Sequence, residues 1–361
     1  MADYVYLCSR NMTQENKDIL LKLLDRHREL GISEQIDYDK FYLYSIIVHS
    51  TAIEGSTVTE VEAQLLFDEG ITSSKRTLQE QMMNLDLKVA YEFGREWIKR
   101  HKSITVDWLI TLASKVMART GSEYSALGGT FSAAKGELRK LNVSAGIGGK
   151  SYMSYLKVPE HLAAFCEELN RRRKTVNPTD ICAVYDLSFW AHYELVTIHP
   201  WADGNGRTSR LLMNLLQMEF GVLPTKVLKE DKATYIQALI DTREKEDIAI
   251  FQNCMANLHA QHLKAAIDQY QNTTTNTTQK NNITTQKEPT TTQKAILDYL
   301  KEHPHATRQE VAEALGNITE DGIKYHFSRL QKTGYLKRKG GRKLGDWVVI
   351  KNSSNNGIQE T

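Results

Sequence analysis

Residues 199–210 combine side chains that could carry out phosphate chemistry. The segment reads His-Pro-Trp-Ala-Asp-Gly-Asn-Gly-Arg-Thr-Ser-Arg and lies between two long apolar stretches. Gly204 and Gly206 leave backbone N–H groups accessible to an anion. A helix that begins near Arg207 would direct the positive end of its dipole to the same place. The pattern therefore predicts a phosphate-binding loop between two buried helices.

The charged side chains of this segment suit separate roles in such chemistry. Arg207 and Arg210 are one helical turn apart, so both could bind one ligand through bidentate hydrogen bonds. Asp203 could hold Mg²⁺ against phosphate oxygens. His199 titrates near neutral pH and is the natural proton acceptor. Two other roles stay open for His199, a metal ligand or a purely structural residue, but the glycines make the following chain a loop and no zinc-protease helix pattern follows.

The same segment closely resembles the signature of the Fic family, His-Pro-Phe-x-(Asp/Glu)-Gly-Asn-Gly-Arg-x-x-Arg. Trp201 is the one departure, where Phe is usual. The stretch Ser50-Thr51-Ala52-Ile53-Glu54-Gly55 resembles the family's inhibitory motif, (Ser/Thr)-x-x-x-Glu-(Gly/Asn), placed before the core as in class II members. The resemblance extends over roughly residues 40–260.

This resemblance implies a protein adenylyltransferase, an enzyme that transfers AMP from ATP to a Ser, Thr or Tyr hydroxyl of a protein, with Mg²⁺ as cofactor. His199 would be the catalytic base and Asp203 the metal ligand. The residues implied in nucleotide binding are Gly204, Asn205, Gly206, Arg207, Arg210 and Tyr235. Tyr235 would pack on adenine, although an ordinary aromatic on an amphipathic helix fits equally well.

Glu54 is implied as the inhibitory residue. A carboxylate near Arg210 would occupy the γ-phosphate site and leave ATP in a pose unsuited to attack, whereas a lone Glu at a helix end would be a solvated charge. Some related enzymes use this Glu to position water and remove AMP, so removal is a second activity to consider. The acceptor would be a protein hydroxyl, with self-modification included.

Two alternative functions stay open. One is a nucleotide-sensing, DNA-binding transcriptional regulator built on a Fic core, although a sensor would not need the base His199. The other is a kinase-like transfer, which is disfavoured because kinase-like relatives carry Lys in the region where this chain has Gly206. AMP transfer is the preferred function.

Hydrophobic periodicity predicts a mainly α fold. The Fic-type helical core would carry a short β-hairpin flap within residues 141–153, for which a plain surface loop is the alternative. The family's Gly-x-Tyr-Arg element is matched only loosely, by Gly129-Thr130-Phe131-Ser132. Helices are predicted at 15–30, 40–54, 58–67, 78–100, 105–120, 158–173, 180–198, 207–220, 232–245 and 247–270.

Composition changes sharply after residue 270. Residues 271–292 are almost entirely Thr, Asn, Gln and Lys, which predicts a flexible linker. Three helices and two strands then predict a small α+β winged helix. The predicted domains are an N-terminal helical region with the inhibitory motif (1–100), the Fic catalytic core (101–270), the linker (271–292), a winged helix-turn-helix domain (293–352) and a polar tail (353–361).

The predicted winged helix has a local basic excess. Residues 293–351 contain twelve Lys or Arg against seven Asp or Glu. Lys324 and Arg329 would lie on the recognition helix, and Arg338, Arg342 and Lys343 in the wing, where they could contact duplex DNA. Winged helices also bind proteins, so a protein partner stays an alternative.

The composition of the whole chain sets broader limits. Its 361 residues carry a formal net charge of only +2, so no overall field favours nucleic acid. The four cysteines are scattered, unlike a zinc site or a disulfide framework, and are expected to be reduced thiols. The chain has no signal-peptide pattern at its start and no apolar run of transmembrane length. We therefore expect a cytoplasmic protein with no membrane association, and a homodimer is one option.

Overall fold

The computed structural model describes residues 12–145, 150–282, 291–316, 320–332, 335–339 and 346–350. The chain divides into two compact units, Met1–Asn272 and Thr273–Thr361, each with its own apolar core. The first unit is mainly helical with a β-hairpin, and the second is a small α+β unit. The predicted fold class is confirmed. No helix of the described residues is long and apolar enough to cross a membrane.

The N-terminal part of the first unit consists of five helices. They are α1 (Gln14–Glu29), α2 (Tyr38–Ile53), α3 (Glu60–Asp68), α4 (Leu78–Ile98) and α5 (Val106–Val116). A threonine caps the start of each of these helices except α2, because its hydroxyl accepts a hydrogen bond from a free N–H of the first turn. At α3 and α4 the capping threonine and a glutamate, Glu62 or Glu80, form complete capping boxes.

The rest of the first unit is built around one helix pair. α7 (Ile181–Ile198) packs against α8 (Asn205–Glu219), and both are buried over most of their length. The other helices here are α6 (Val158–Thr175), α9 (Lys232–Lys245) and α10 (Ile248–Asn282). The connection between α7 and α8 is the loop that contains the phosphate-binding pattern. Two helices that are fixed in a core thus hold that loop at both ends.

Two short antiparallel β-structures precede α6. The strands β1 (Glu123–Ala126) and β2 (Gly129–Ser132) pair with each other, and the sequence analysis did not predict them. The predicted flap follows, with Ser144 bridged to Ser151 and the amide of Tyr152 bonded to the carbonyl of Val143. Its tip, residues 146–149, lies outside the described residues.

The second unit follows the predicted order of elements. It contains α11 (Thr291–Glu302), α12 (Arg308–Leu315), α13 (Glu320–Lys332) and the antiparallel strands β3 (Leu336–Lys339) and β4 (Asp346–Val349). Thr307 and Glu310 form a complete capping box at the start of α12. The core of the second unit contains Ile296, Val311, Ile323, Phe327 and Trp347. Thr319 and the glycine pair at 340–341, which the sequence suggests as a helix cap and a turn, lie outside the described residues.

The predicted linker is partly helical. α10 continues to Asn282, well into the polar segment 271–292. The polar composition of this segment indicates that it cannot form a hydrophobic core of its own. It does not indicate where a helix that enters the segment will end. Extending a helix adds a hydrogen bond per residue without a new nucleation cost, so α10 continues beyond its packed part.

Candidate functional site

The loop between α7 and α8 is held by Trp201 and Asn205. The Trp201 ring is buried, and its Nε1 donates to the carbonyl of Gly136 at 2.9 Å. The Asn205 amide bonds the backbone of Trp201 twice, as acceptor at 3.0 Å and donor at 2.8 Å. The Asn205 side chain therefore closes the loop, and the role of Asn205 in nucleotide binding remains a prediction.

The start of α8 has the features of an anion-binding site. Gly204 has a φ of 82°, which favours glycine, and the helix begins at the next residue. The first N–H groups of a helix have no partner inside it, and the helix dipole adds positive charge there. Arg207 lies in the same turn and is only 2% exposed, yet its Nε and Nη1 have no hydrogen-bond partner among the described residues. Because buried N–H groups are rarely left unpaired, these donors indicate a place for an anionic oxygen.

Asp203 lies at the open side of this site. Its side chain is 55% exposed, and its Oδ1 accepts from the N–H of Gly204 at 2.5 Å and from Arg207 Nη2 at 3.3 Å. Both hydrogen bonds end on Oδ1, so the second oxygen, Oδ2, is the one left for another ligand. This accessible carboxylate is the kind of hard oxygen ligand that Mg²⁺ takes.

Residues at the C-terminal end of α2 bind the guanidinium of Arg210. Its Nη2 donates to Glu54 Oε1 at 2.6 Å and to the carbonyl of Ser50 at 2.9 Å, and its Nε donates to the Ser50 hydroxyl at 2.9 Å. Burial alone would raise the pKa of Glu54, but the charge and hydrogen bond of Arg210 hold that pKa below its usual value. The pair is therefore ionised at neutral pH.

The approach of Glu54 depends on Gly206. A Cβ atom at position 206 would lie 2.6 Å from Glu54 Oε1 and 3.0 Å from Arg210 Nη1. No side chain could fit there without displacing the carboxylate. The second glycine of the motif thus leaves room for the contact between α2 and α8 as well as for an anion.

His199 has the geometry of a proton acceptor. It ends α7 in the left-handed conformation, with a φ of 53°, and its Nδ1 lies 3.1 Å from the carbonyl of Val196. That contact places the proton on Nδ1 and leaves Nε2 as the acceptor. Burial lowers the pKa of His199 to about 4, and the nearby charge of Arg139 acts in the same direction. The imidazole is neutral at pH 7.

Tyr235 and His192 belong to the core beneath Arg210. Tyr235 is 1% exposed, and its hydroxyl lies 3.0 Å from His192 Nε2 and 3.5 Å from Arg210 Nη1. Its ring packs against the rings of His192 and Phe251, which stack on each other. Tyr235 is therefore part of the core beneath Arg210, and its role in binding adenine remains a prediction.

The sequence analysis missed two residues at the site. The ring of Tyr152, in the flap, stacks on the imidazole of His199 with centroids 3.8 Å apart. Arg139 is 1% exposed and donates to the carbonyl of His199 at 2.7 Å. A usable signal was present, because Gly136-Glu137-Leu138-Arg139 has the glycine and arginine of the Gly-x-Tyr-Arg element. The segment first matched to that element, residues 129–132, is strand β2.

The candidate DNA-contacting residues lie in the second unit. Lys324 and Arg329 are exposed on α13. Arg338 is half-buried on β3, with its guanidinium 4.7 Å from the centroid of the Trp347 ring. Arg342 and Lys343 lie outside the described residues. The structure thus describes three of the five predicted basic residues.

Family models match both units. The Fic/DOC family model matches residues 103–217, and a winged helix-turn-helix DNA-binding model matches residues 289–337. Among curated proteins, the chain is 27% identical over 235 residues to "Protein adenylyltransferase fic-1" of Caenorhabditis elegans, covering 64% of this chain and 41% of that protein. It is 29% identical over 198 residues to "Protein adenylyltransferase Fic" of Drosophila sechellia, covering 54% of this chain and 36% of that protein. The match thus spans about two fifths of the length of these relatives.

Solved structures share the fold. A Fic domain-containing signaling protein from Bacteroides thetaiotaomicron aligns with a TM-score of 0.58 at 21% identity, over 70% of this chain and 98% of that chain. A Fic family protein from Desulfovibrio desulfuricans aligns with a TM-score of 0.58 at 16% identity, over 96% of this chain and 99% of that chain. These structures show the fold, and the family-model matches over residues 103–217 and 289–337 show that the chain contains a Fic/DOC family domain followed by a winged helix-turn-helix domain.

Proposed function

We propose that this protein transfers AMP from ATP to a hydroxyl of a protein and that Glu54 restrains the transfer. The observation that carries the proposal is the arrangement at the start of α8, where the unpartnered N–H groups of buried Arg207 lie one turn from Arg210, which Glu54 binds. The curated relatives named protein adenylyltransferases support this reaction class.

The phosphates of ATP would bind at the N-terminus of α8. The backbone N–H groups at Asn205 and Gly206 and the side chain of Arg207 would bind phosphate oxygens. Asp203 fits a Mg²⁺ ion, since one accessible carboxylate together with phosphate oxygens and water is a common coordination for this metal. No group of three or more His, Cys, Asp or Glu in the described residues could hold a metal by itself. The bound ion would neutralise charge on the phosphates.

His199 would act on the acceptor hydroxyl. Its Nε2 takes the hydroxyl proton while the oxygen forms a bond to the α-phosphorus of ATP. The bond between the α-phosphorus and the oxygen that bridges to the β-phosphate breaks, and pyrophosphate leaves with that oxygen. A neutral imidazole is needed for this step, and the lowered pKa of His199 provides it at neutral pH.

Glu54 would restrain the reaction through Arg210. The carboxylate takes the guanidinium that the γ-phosphate would otherwise bind, and its negative charge repels that phosphate. ATP can still bind through Arg207 and the start of α8, but the α-phosphorus is then not aligned with the acceptor hydroxyl. The same carboxylate could orient a water molecule toward an AMP-modified protein, so AMP removal is part of this proposal.

The position of the label identifies the reaction. The Glu54→Gly variant is incubated with Mg²⁺ and ATP labelled at either the α- or the γ-phosphate, and the protein is then separated by denaturing electrophoresis. We expect label on the protein from α-labelled ATP only, and none when His199→Ala is added, since loss of a general base costs about 10²–10⁴-fold. Label from γ-labelled ATP would show phosphate transfer and contradict the proposal.

A second function is proposed for the C-terminal unit, the binding of duplex DNA. Its support is the winged helix-turn-helix match together with two exposed cations, Lys324 and Arg329, on the helix that such domains insert into the major groove. Together with the first unit, this binding would suit a transcriptional regulator that responds to nucleotide.

A further inference from the structure

Arg139 lies where three segments of the first unit meet. Its Nε donates to the carbonyl of His199 at 2.7 Å, its Nη1 to the carbonyl of Leu141 at 2.8 Å and its Nη2 to the carbonyl of Met153 at 2.6 Å. Its own backbone N–H donates to the carbonyl of Pro200 at 2.9 Å. One buried guanidinium thus joins both strands of the flap to the loop that contains the base.

The acceptors of Arg139 are all neutral backbone carbonyls. A salt bridge would stabilise a buried arginine at lower cost, because a carboxylate compensates the charge as well as the N–H groups. Here the rigid, planar fork of donors is used for its geometry, since each of its three nitrogen atoms donates to a carbonyl of a different residue. Lysine has a single nitrogen and cannot make the same three contacts.

The two parts that Arg139 connects, His199 and the flap, both lie next to the atoms that would react. His199 adopts the left-handed conformation, which is strained for a residue with a Cβ and persists only where neighbours hold it. The Arg139 contact holds its carbonyl. On the other side, Met153 follows Tyr152, whose ring covers the imidazole. A shift of either flap strand would therefore change the space next to Nε2.

We propose that Arg139 is a positioning residue that holds the flap and His199 as one unit and thereby fixes the space next to Nε2 that the acceptor hydroxyl would enter. The catalytic meaning of this inference rests on the proposed AMP transfer. Its structural part, the coupling of the flap to the base, does not.

The structural part is tested without catalysis. Amide hydrogen exchange is measured at Ala145 and Tyr152, whose N–H groups bond across the flap to Lys150 and Val143. Arg139→Lys and Arg139→Met are compared with the wild type and with Lys140→Met, a control that removes a neighbouring exposed cation bonded to Thr130. We expect exchange to accelerate roughly tenfold or more in both Arg139 variants, because charge-assisted hydrogen bonds are lost, and to stay unchanged in the control.

The pKa of His199, measured by titration, distinguishes the effect of the Arg139 charge from the effect of its hydrogen bonds to the flap. The charged groups around the imidazole are Arg139, Asp203 and Glu54. By NMR, Arg139→Met should raise the pKa of His199, since a repelling cation is lost, whereas Arg139→Lys should raise it less while still releasing the flap. If Arg139→Met does not fold, as judged by thermal melting, Arg139→Lys alone decides the test through exchange.

The catalytic part is tested in the Glu54→Gly background. There Arg139→Lys should lower the rate at saturating ATP by about 10–100-fold and leave the KM for ATP within twofold, because other residues bind the phosphates. The inference would be overturned if Arg139→Lys showed the wild-type exchange rates at Ala145 and Tyr152. It would also be overturned if Lys140→Met changed the transfer rate and the amide exchange as much as Arg139→Lys does. A Glu54→Gly protein without any AMP transfer would count against the proposed function, while the exchange result would still decide the coupling.

Discussion

At the scale of single residues, burial determines what the groups of the motif can do. Arg207 and Arg210 have the same charge and lie one turn apart in one helix. Glu54 and Ser50 satisfy Arg210, whereas two donors of Arg207 find no partner in the part of the chain that the structure describes. His199 keeps an accepting nitrogen because Val196 binds the other one. The contact between Glu54 and Arg210 is therefore the feature that we expect to control activity.

The first prediction concerns pH. The pKa of His199 is lowered to about 4, so the base is neutral above that value and is lost only as the pH falls through it. The rate of AMP transfer by Glu54→Gly should therefore stay level on going from about pH 8 to about pH 5 and fall closer to pH 4. Circular dichroism at each pH checks that the protein is folded.

The lowered pKa of His199 also makes the stability of the folded protein depend on pH. An unfolded histidine binds a proton at a higher pH than the folded one, so His199 contributes stability above its unfolded pKa of about 6.5 that is lost as the pH falls toward about 4. A fall in rate centred near pH 6.5, in protein that remains folded, would mean that the imidazole at work is not buried as described.

At the scale of elements, periodicity and capping were good guides to the helices. The bounds of α9 agree at both ends with those predicted, and those of α7 agree within one residue, since both follow an apolar pattern between clear boundaries. The strands β1 and β2 were missed because four-residue strands give little periodicity. The end of α10 was wrong because composition says little about where a formed helix stops.

The sequence likewise predicted part of the candidate site and missed the rest. The motif located the loop and Glu54, because their spacing is characteristic. It did not reveal that Asn205 bonds within the loop or that Tyr235 packs against Phe251, since both depend on what packs around them. Arg139 was missed because the Gly-x-Tyr-Arg element was matched to residues 129–132 instead of 136–139, and because the contacts of Arg139 with carbonyl oxygens are visible only in the structure.

The second prediction belongs to this scale. Thr307→Ala removes the oxygen that accepts from the N–H of Glu310 at 3.2 Å, and the reciprocal bonds of the capping box are weakened with it. We expect the C-terminal unit to lose about 1 kcal/mol of unfolding free energy, while the unfolding transition of the first unit stays in place. Calorimetry of the full chain measures both.

Gln309→Ala is the matched control, because it changes an exposed residue of the same helix without touching the cap. A loss in Gln309→Ala as large as in Thr307→Ala would show that the box does not stabilise α12.

At the scale of the whole molecule, the chain joins two units with different chemistry. The first has the features of an anion-binding site at the start of α8, and the second has basic residues on α13 and β3. The small net charge of +2 masks this local basic character. A role for nucleic acid must therefore be tested on the C-terminal residues and not inferred from total charge.

The third prediction is that the full chain binds duplex DNA with strong salt dependence. Arg338→Ala, in the predicted wing, should weaken binding to all sequences and lower the slope of log K against log salt by about 1. Lys324→Ala and Arg329→Ala should instead alter sequence preference, because those side chains would face the major groove. Lys301→Ala, an exposed cation on α11 that pairs with Asp298, is the control and should leave the slope unchanged. Fluorescence anisotropy measures the series. Absence of binding even at low salt would indicate a winged helix that docks a protein.

The central claim, AMP transfer restrained by Glu54, is tested most directly by comparing two helix-end glutamates. Glu54 ends α2 against Arg210, and Glu69 ends α3 in an exposed position. The measurement is the initial rate of label transfer from α-labelled ATP to protein by the wild type, Glu54→Gly and Glu69→Gly, with Glu54→Gly/Arg210→Ala alongside. We predict a large increase in Glu54→Gly, wild-type rates in Glu69→Gly, and loss of the gain when Arg210 is removed. Equal rates in the wild type and Glu54→Gly would contradict the account.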